Sequence, residues 1–183
     1  MNLSKTLLLP ALLLSGCLAG AGETDGSEKV KLDFEKPLNA GFLPENGKSV
    51  YCNPHKDVQW DSSGKAARTG KGALRIRRGA NVVLDCRKEF FRKGKLYVFS
   101  IWSRPEKAPG AAACLSVVFF NGKGEKIRQE FRDDRPKSVQ WRKLSLALVP
   151  PEETAYAYVS FFGHAGEQAM IFDDFSITEE SAE

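Results

Sequence analysis

The chain has 183 residues, 42% of them hydrophobic and 27% charged, with a formal net charge of +4. That length is enough for one domain with a real core. A basic excess this small does not by itself point to nucleic acid, and the apolar run at residues 6–14 is too short to cross a bilayer as a helix.

Residues 1–16 read as a targeting segment and not as part of a fold: Lys5 supplies a short positive stretch, residues 6–14 are apolar, and the segment runs into Leu14-Ser15-Gly16-Cys17. Those four residues resemble the lipobox of bacterial lipoproteins. The resemblance implies cleavage before Cys17, a diacylglycerol on its sulfur and an acylated amino group, so that Cys17 is the first mature residue and the membrane anchor. Several acyl chains hold a protein firmly where one binds only marginally. Leu18 stands where many inner-membrane lipoproteins carry an aspartate, which implies the outer membrane. The alternative is an ordinary secretory signal cleaved near Ala19 or Ala21. Loss of the leader removes Lys5 and takes the charge from +4 to +3. Residues 17–29 are small, polar and partly acidic, a lipidated flexible tether. Residues 30–178 form the domain, and residues 179–183 a short acidic tail.

Through the domain, strand signals dominate and no stretch has a helical period. Residues 30–34 make a first strand, followed by a Pro/Gly/Asn loop through Lys48; residues 50–53 and 58–60 are short extended pieces. The glycine-bearing loop 62–71 leads into strands at 73–77 and 81–86, and Gly94 turns the chain into the longest strand, 96–104. Strands at 112–120 and 126–131 are joined by a tight Asn121-Gly122 connection. Residues 141–149, stopped by Pro150-Pro151, then 155–162 and 170–177 complete about nine or ten strands. Frequent turn signals between short strands argue for an all-β, two-sheet antiparallel β-sandwich.

Alternation assigns the faces. Tyr97, Phe99 and Ile101 point one way, as do Leu144, Leu146 and Leu148, and Ala157, Val159 and Phe161. Opposite them lie Trp102 and Arg104, and Tyr156, Tyr158, Ser160 and Phe162. Aromatics on adjacent strands away from the core make either a binding platform or a second small core under a loop such as 39–48. The basic residues Arg75, Arg77, Arg78, Arg87, Lys88, Arg92, Lys93 and Lys95 read as a solvated face with charged edges, or as a patch for an anionic polysaccharide or lipid headgroup. Of the cysteines beyond Cys17, Cys114 suits a buried thiol inside an apolar strand, which leaves Cys52–Cys86 as the disulfide of an exported protein. The stretch AMIFDDFSI at 169–177 poses a sharper problem: alternation puts Asp173 on the same face as Ile171, Phe175 and Ile177. Either a cation or another partner meets a buried carboxylate, or the strand ends early and both Asp173 and Asp174 are solvated.

The succession of Phe34-Glu35, TGKGALRI (69–76), YVFSIWSR (97–104), VQWRKLSLALVP (139–150) and IFDDFSI (171–177) resembles carbohydrate-binding modules of the galactose-binding-like jelly-roll type, as found beside xylanases and cellulases. The resemblance implies a non-catalytic, polysaccharide-binding jelly roll with a structural calcium. The calcium ligands it implies are Glu35, a backbone carbonyl of Gly70 or Lys71, and Asp173, with Asp33 and Asp174 as substitutes if the register shifts by one; calcium takes six to eight oxygens from carboxylates and carbonyls. The sugar site it implies uses Trp102, Tyr158 and Phe162 as stacking rings, Arg75 or Arg104 and Gln129 as polar partners, and Trp60 from the rim, while Trp141 packs structurally.

Little favours catalysis. His55 and His164 lie in turn-like surroundings, no nucleophile-elbow sequence is present, and Asp133/Asp134 and Glu152/Glu153 sit in turns. The competing function is a structural or protein-interaction lipoprotein that keeps the fold without the sugar site.

Overall fold

The computed structural model describes residues 26–107 and 111–181; the export segment, Cys17 and most of the tether lie outside the described residues. The described chain forms twelve strands: β1 (Ser27–Leu32), β2 (Gly41–Phe42), β3 (Val50–Pro54), β4 (Gln59–Asp61), β5 (Ala73–Ile76), β6 (Asn81–Arg87), β7 (Leu96–Pro105), β8 (Ala112–Phe120), β9 (Lys126–Asp134), β10 (Arg142–Leu148), β11 (Tyr156–Ala165) and β12 (Met170–Glu180). They build two six-stranded sheets. The first runs β10-β7-β12-β5-β4, with β1 also on β12; the second runs β2-β3-β6-β11-β8-β9. Every pairing is antiparallel, and the fold is an all-β jelly-roll sandwich.

The inner faces are those that alternation selects. Tyr97, Phe99 and Ile101 of β7 and Ala157, Val159 and Phe161 of β11 are fully buried in one continuous core. The Phe161 ring reaches across from the second sheet to Phe172 and Phe175 of β12, at centroid distances of 5.6 and 5.4 Å. Each such burial contributes about 1.5–3 kcal/mol relative to an exposed side chain.

β12 departs from strict alternation. Its pairing with β7 shifts between Asp173 and Ser176, and Asp174 takes a left-handed φ of 48°. The bulge inserts one unpaired residue, so Phe172 before it and Phe175 after it both face the core. Asp173 therefore keeps Ile171's side, the outer face, and does not share a face with Phe175 and Ile177. It is fully buried even so, because the loop 62–72 folds over that face. Ala66 of this loop joins Ala73 and Ile171 in a small second cluster, against which Ala67 and Trp141 pack. That second core is covered by loop 62–72 and not by 39–48, and Trp141 has the structural place assigned to it.

The cysteines correct the disulfide expectation. Cys52, Cys86 and Cys114 are free and buried. Cys52 is opposite Leu84, and Cys86 opposite Val50, so the two thiols are diagonal across β3 and β6. Diagonal neighbours are about 7–8 Å apart, longer than a disulfide's usual Cα separation of about 4.4–6.8 Å. Burial pushes the Cys52 thiol up to about 12, and the Cys86 thiol higher still.

The ends of the domain also differ from the sequence reading. β1 begins at Ser27, inside the expected tether, and β12 runs through Glu180, so Glu179 belongs to the sheet and not to an acidic tail. Glu179 faces inward opposite Tyr97 and is 7% exposed. It accepts a hydrogen bond from the Tyr97 hydroxyl at 2.8 Å and pairs with Arg92 at 3.2 Å and Lys29 at 3.5 Å. Desolvation opposes its ionisation, but Tyr97, Lys29 and Arg92 outweigh it and hold the carboxyl below its ordinary value. A carboxyl with a lowered folded pKa contributes stability above its unfolded pKa and loses it as pH falls through the folded value. Glu179→Gln should therefore lower stability at pH 7 by about 1–3 kcal/mol. In urea melts the gap to wild type should close as pH falls below the ordinary value of 4.5. A gap that stays unchanged from pH 7 down to pH 3 would show that packing, not charge, accounts for the loss.

Candidate functional site

The seven residues assigned to a sugar site do not meet. Trp102, Arg104, Arg75 and Trp60 lie on β7, β5 and β4 of the first sheet, whereas Tyr158, Phe162 and Gln129 lie on β11 and β9 of the second. Strand order separates them, and local alternation carries no information about strand order.

On the first sheet the candidates are engaged within the fold. The Arg68 guanidinium sits over the Trp102 ring, 3.8 Å from its centroid, held there by Asp174 at 2.6 Å. Arg104 donates to the Ala66 carbonyl at 3.3 Å and lies 5.3 Å from the Trp141 ring. Arg75 pairs with Glu106 and with Asp61. The Trp60 indole donates to the Phe34 carbonyl at 2.8 Å. One face of the best-placed tryptophan is thus taken by a cation of the same chain.

The residues assigned to calcium do converge, on loop 62–72. Glu35 Oε1 accepts the backbone N–H of Lys71 at 2.8 Å and of Gly72 at 3.1 Å. Asp173 Oδ2 accepts those of Arg68 at 2.7 Å and Thr69 at 3.2 Å, and Oδ1 that of Asp174 at 2.8 Å. Asp174 takes Arg68 and the Thr69 hydroxyl. The clasp demands glycine: Gly70 has φ +59, and a Cβ on it would lie 2.0 Å from Glu35 Oε1, while one on Gly72 would lie 1.8 Å from the Phe34 carbonyl oxygen. Burial raises the Asp173 carboxyl above its ordinary value, against the pull of its three backbone donors. Among the described residues, no three His, Cys, Asp or Glu side chains are grouped to hold a metal. A calcium here would have to complete its shell with loop carbonyls and water.

The second sheet presents a different outer face. Strand pairing places its side chains in rows: Arg87–Tyr156–Phe120, then Tyr51–Asp85–Tyr158–Val118–Gln129, then Asn53–Val83–Ser160–Ser116–Phe131, then Asn81–Phe162–Cys114–Asp133. Four rows on five strands make a platform roughly 20 Å in each direction. Tyr156 stacks on Phe120 at 4.9 Å, and Tyr158 meets both rings at 5.2–5.4 Å. Tyr158 is 39% exposed and Phe131 62%. Asp85 lies beside them: its Oδ2 is 3.0 Å from Arg87, while Oδ1 is buried and accepts no hydrogen bond. Burial raises its carboxyl, with Arg87 pulling back only in part. The platform thus offers flat apolar rings beside a charged pair, which suits a ligand with an apolar face and a rim of hydroxyls. Of the expected residues it holds Tyr158, Phe162 and Gln129, with Tyr156 from the same aromatic face and Arg87 from the basic patch; Tyr51, Asp85 and Phe120 were not among them. A carboxylate among Val82, Val83, Leu84 and Cys86 was the signal that could have found Asp85.

The groups nearest to a catalytic arrangement are Cys114, Asp133 and His164. His164 Nε2 stands 3.4 Å from Asp133 Oδ1. Burial, with Asp133 adding to it, pushes the Cys114 thiol up to about 12. A thiol there is not a nucleophile at neutral pH.

No protein-family model matches the chain, and no curated protein matches its sequence. Solved structures do match. The chain is similar to the xylan-binding CBM22-1 domain of Paenibacillus barcinonensis Xyn10C, with a TM-score of 0.64 at 16% identity over 86% of this chain and 97% of that one. It is similar to the C-terminal family 22 carbohydrate-binding module of Clostridium thermocellum Xyn10B, with a TM-score of 0.60 at 17% identity over 85% of this chain and 96% of that one. It is also similar to TmCBM61 in complex with β-1,4-galactotriose, with a TM-score of 0.50 at 16% identity over 71% and 88%. At these identities the likeness is one of fold: the chain has the jelly roll of carbohydrate-binding modules.

Proposed function

We propose that the domain binds polysaccharide without catalysis through the outer face of the second sheet, and that a lipid on Cys17 holds it in the cell envelope, at the outer membrane. The observation that carries the sugar reading is the half-exposed Tyr158 ring, set against Phe120 and Tyr156 on the outer face with the Asp85–Arg87 pair beside it. A pyranose supplies C–H groups to lie on the ring and hydroxyls to meet the charged pair at its edge. Structural neighbours that bind xylan and galactotriose support the glycan class. Anchoring rests on Leu14-Ser15-Gly16-Cys17. A structural calcium at the Glu35–Asp173 clasp is part of the same proposal and rests on the sequence resemblance; both carboxylates accept backbone N–H groups of the loop, which a bound cation would have to displace.

Titration with xylo- and galacto-oligosaccharides tests the platform. Tyr158→Ala should weaken binding about tenfold or more, and Asp85→Asn should weaken it without lowering the melting temperature. Trp102→Ala should leave affinity near wild type. Loss of binding in Trp102→Ala with retention in Tyr158→Ala would move the site to the first sheet, and a folded protein that binds no glycan would favour the structural lipoprotein. Chelator should lower the melting midpoint and added calcium restore it, since a ligand of the folded state stabilises it; identical melts would leave the clasp closed by amides alone. Cys17→Ser should move the chain from the membrane fraction to the soluble one; unchanged fractionation would remove the anchor.

A further inference from the structure

At its fourth row the platform runs into a pocket of about 350 Å³ beneath the turn between β5 and β6, lined by Arg78, Asn81, Phe162 and His164 with the glycines beside them. Asn81 and Phe162 are cross-strand neighbours, so pocket and platform share one surface. Their chemistry differs. Beside Tyr158 the ionisable group is the Asp85 carboxylate, whereas no carboxylate lines the end pocket and its full charge is the Arg78 guanidinium. Arg78 is exposed and makes no ion pair among the described residues, in contrast to Arg75 and Arg87, which pair with carboxylates. The Phe162 ring stands edge-on to the His164 ring at 6.0 Å. His164 Nε2 is buried without a hydrogen bond, and Asp133 Oδ1 is 3.4 Å away.

We propose that this pocket takes the carboxylate of an acidic sugar, a uronate carried by the glycan on the platform. The inference rests on the platform reading and narrows its ligand class. The planar guanidinium can hold a carboxylate through two parallel N–H···O bonds, Asn81 adds an amide donor, and Phe162 offers a face for the sugar ring. An uncharged sugar would leave Arg78 in water with nothing gained.

The full chain is titrated with a linear xylo-oligosaccharide and with the same backbone bearing one glucuronate side group. The charged ligand should bind about tenfold more tightly, with the difference shrinking as salt is raised. Arg78→Gln should remove the difference and leave the neutral ligand's affinity as it was. Equal affinity of the wild type for both ligands overturns the proposal, and so does a difference that survives Arg78→Gln. Failure of the platform itself looks different: neither oligosaccharide binds, yet free glucuronate shifts the His164 ring resonances and free glucose does not. If glucuronate leaves those resonances in place, the pocket fails with the platform.

Discussion

The burial of the Asp173 carboxylate governs how the first sheet is finished. An ionised carboxyl removed from water costs several kcal/mol unless donors meet it, and here they come from the backbone of loop 62–72 and of Asp174. Those bonds need Asp173 on the outer face while Phe172 and Phe175 both stay in the core, which only a bulge permits. The left-handed φ of 48° at Asp174 is the local strain of that bulge, on the order of 1–3 kcal/mol for a non-glycine residue. Asp174 offsets it by accepting Arg68 and Thr69. The same contacts set Arg68 on Trp102. A single buried acid thus ties together a bulge, a loop and the covering of one side of the sandwich.

Glu35 completes the closure from the other end of the chain. It follows Phe34, whose positive φ of 54° turns the backbone at the end of β1, and it receives two amides from the loop that Asp173 also holds. The N-terminal and C-terminal strands are therefore bound to one loop as well as to each other. Because Gly70 and Gly72 admit no Cβ at that approach, the loop's sequence is part of the clasp and not merely a connection.

Much of this was legible in the residues. Period-two alternation identified the core faces of β7 and β11 correctly, because residues 97–101 and 157–161 each run without a bulge and carry large or apolar side chains on one side. It failed over 171–177 because one inserted residue reverses every later side chain, and nothing local marks a bulge formed at Asp173-Asp174. It failed for Glu179 because a carboxylate near a terminus looks solvated until Tyr97, Lys29 and Arg92 are known to surround it. The candidate sugar residues were scattered over both sheets for a different reason. Asp85 and Tyr158 become neighbours only once β6 pairs with β11, and 72 residues separate them in the chain.

The two outer faces end in opposite states. On the first sheet, Arg68 and Arg75 pair with carboxylates of the chain and the Trp102 ring is occupied. On the second, a carboxylate oxygen is buried without a donor beside exposed rings. A polar atom left in that condition weakens the unliganded fold, since a buried acceptor without a partner costs about 1–3 kcal/mol. Stability alone would favour an apolar residue at position 85, where Tyr51 and Tyr158 flank the side chain on the adjacent strands. The carboxylate's other oxygen, Oδ2, holds Arg87 at the edge of the rings, and that pair is where the face keeps charge within reach of a ligand. A ligand with an apolar ring face and a rim of hydroxyls meets the rings and the pair together.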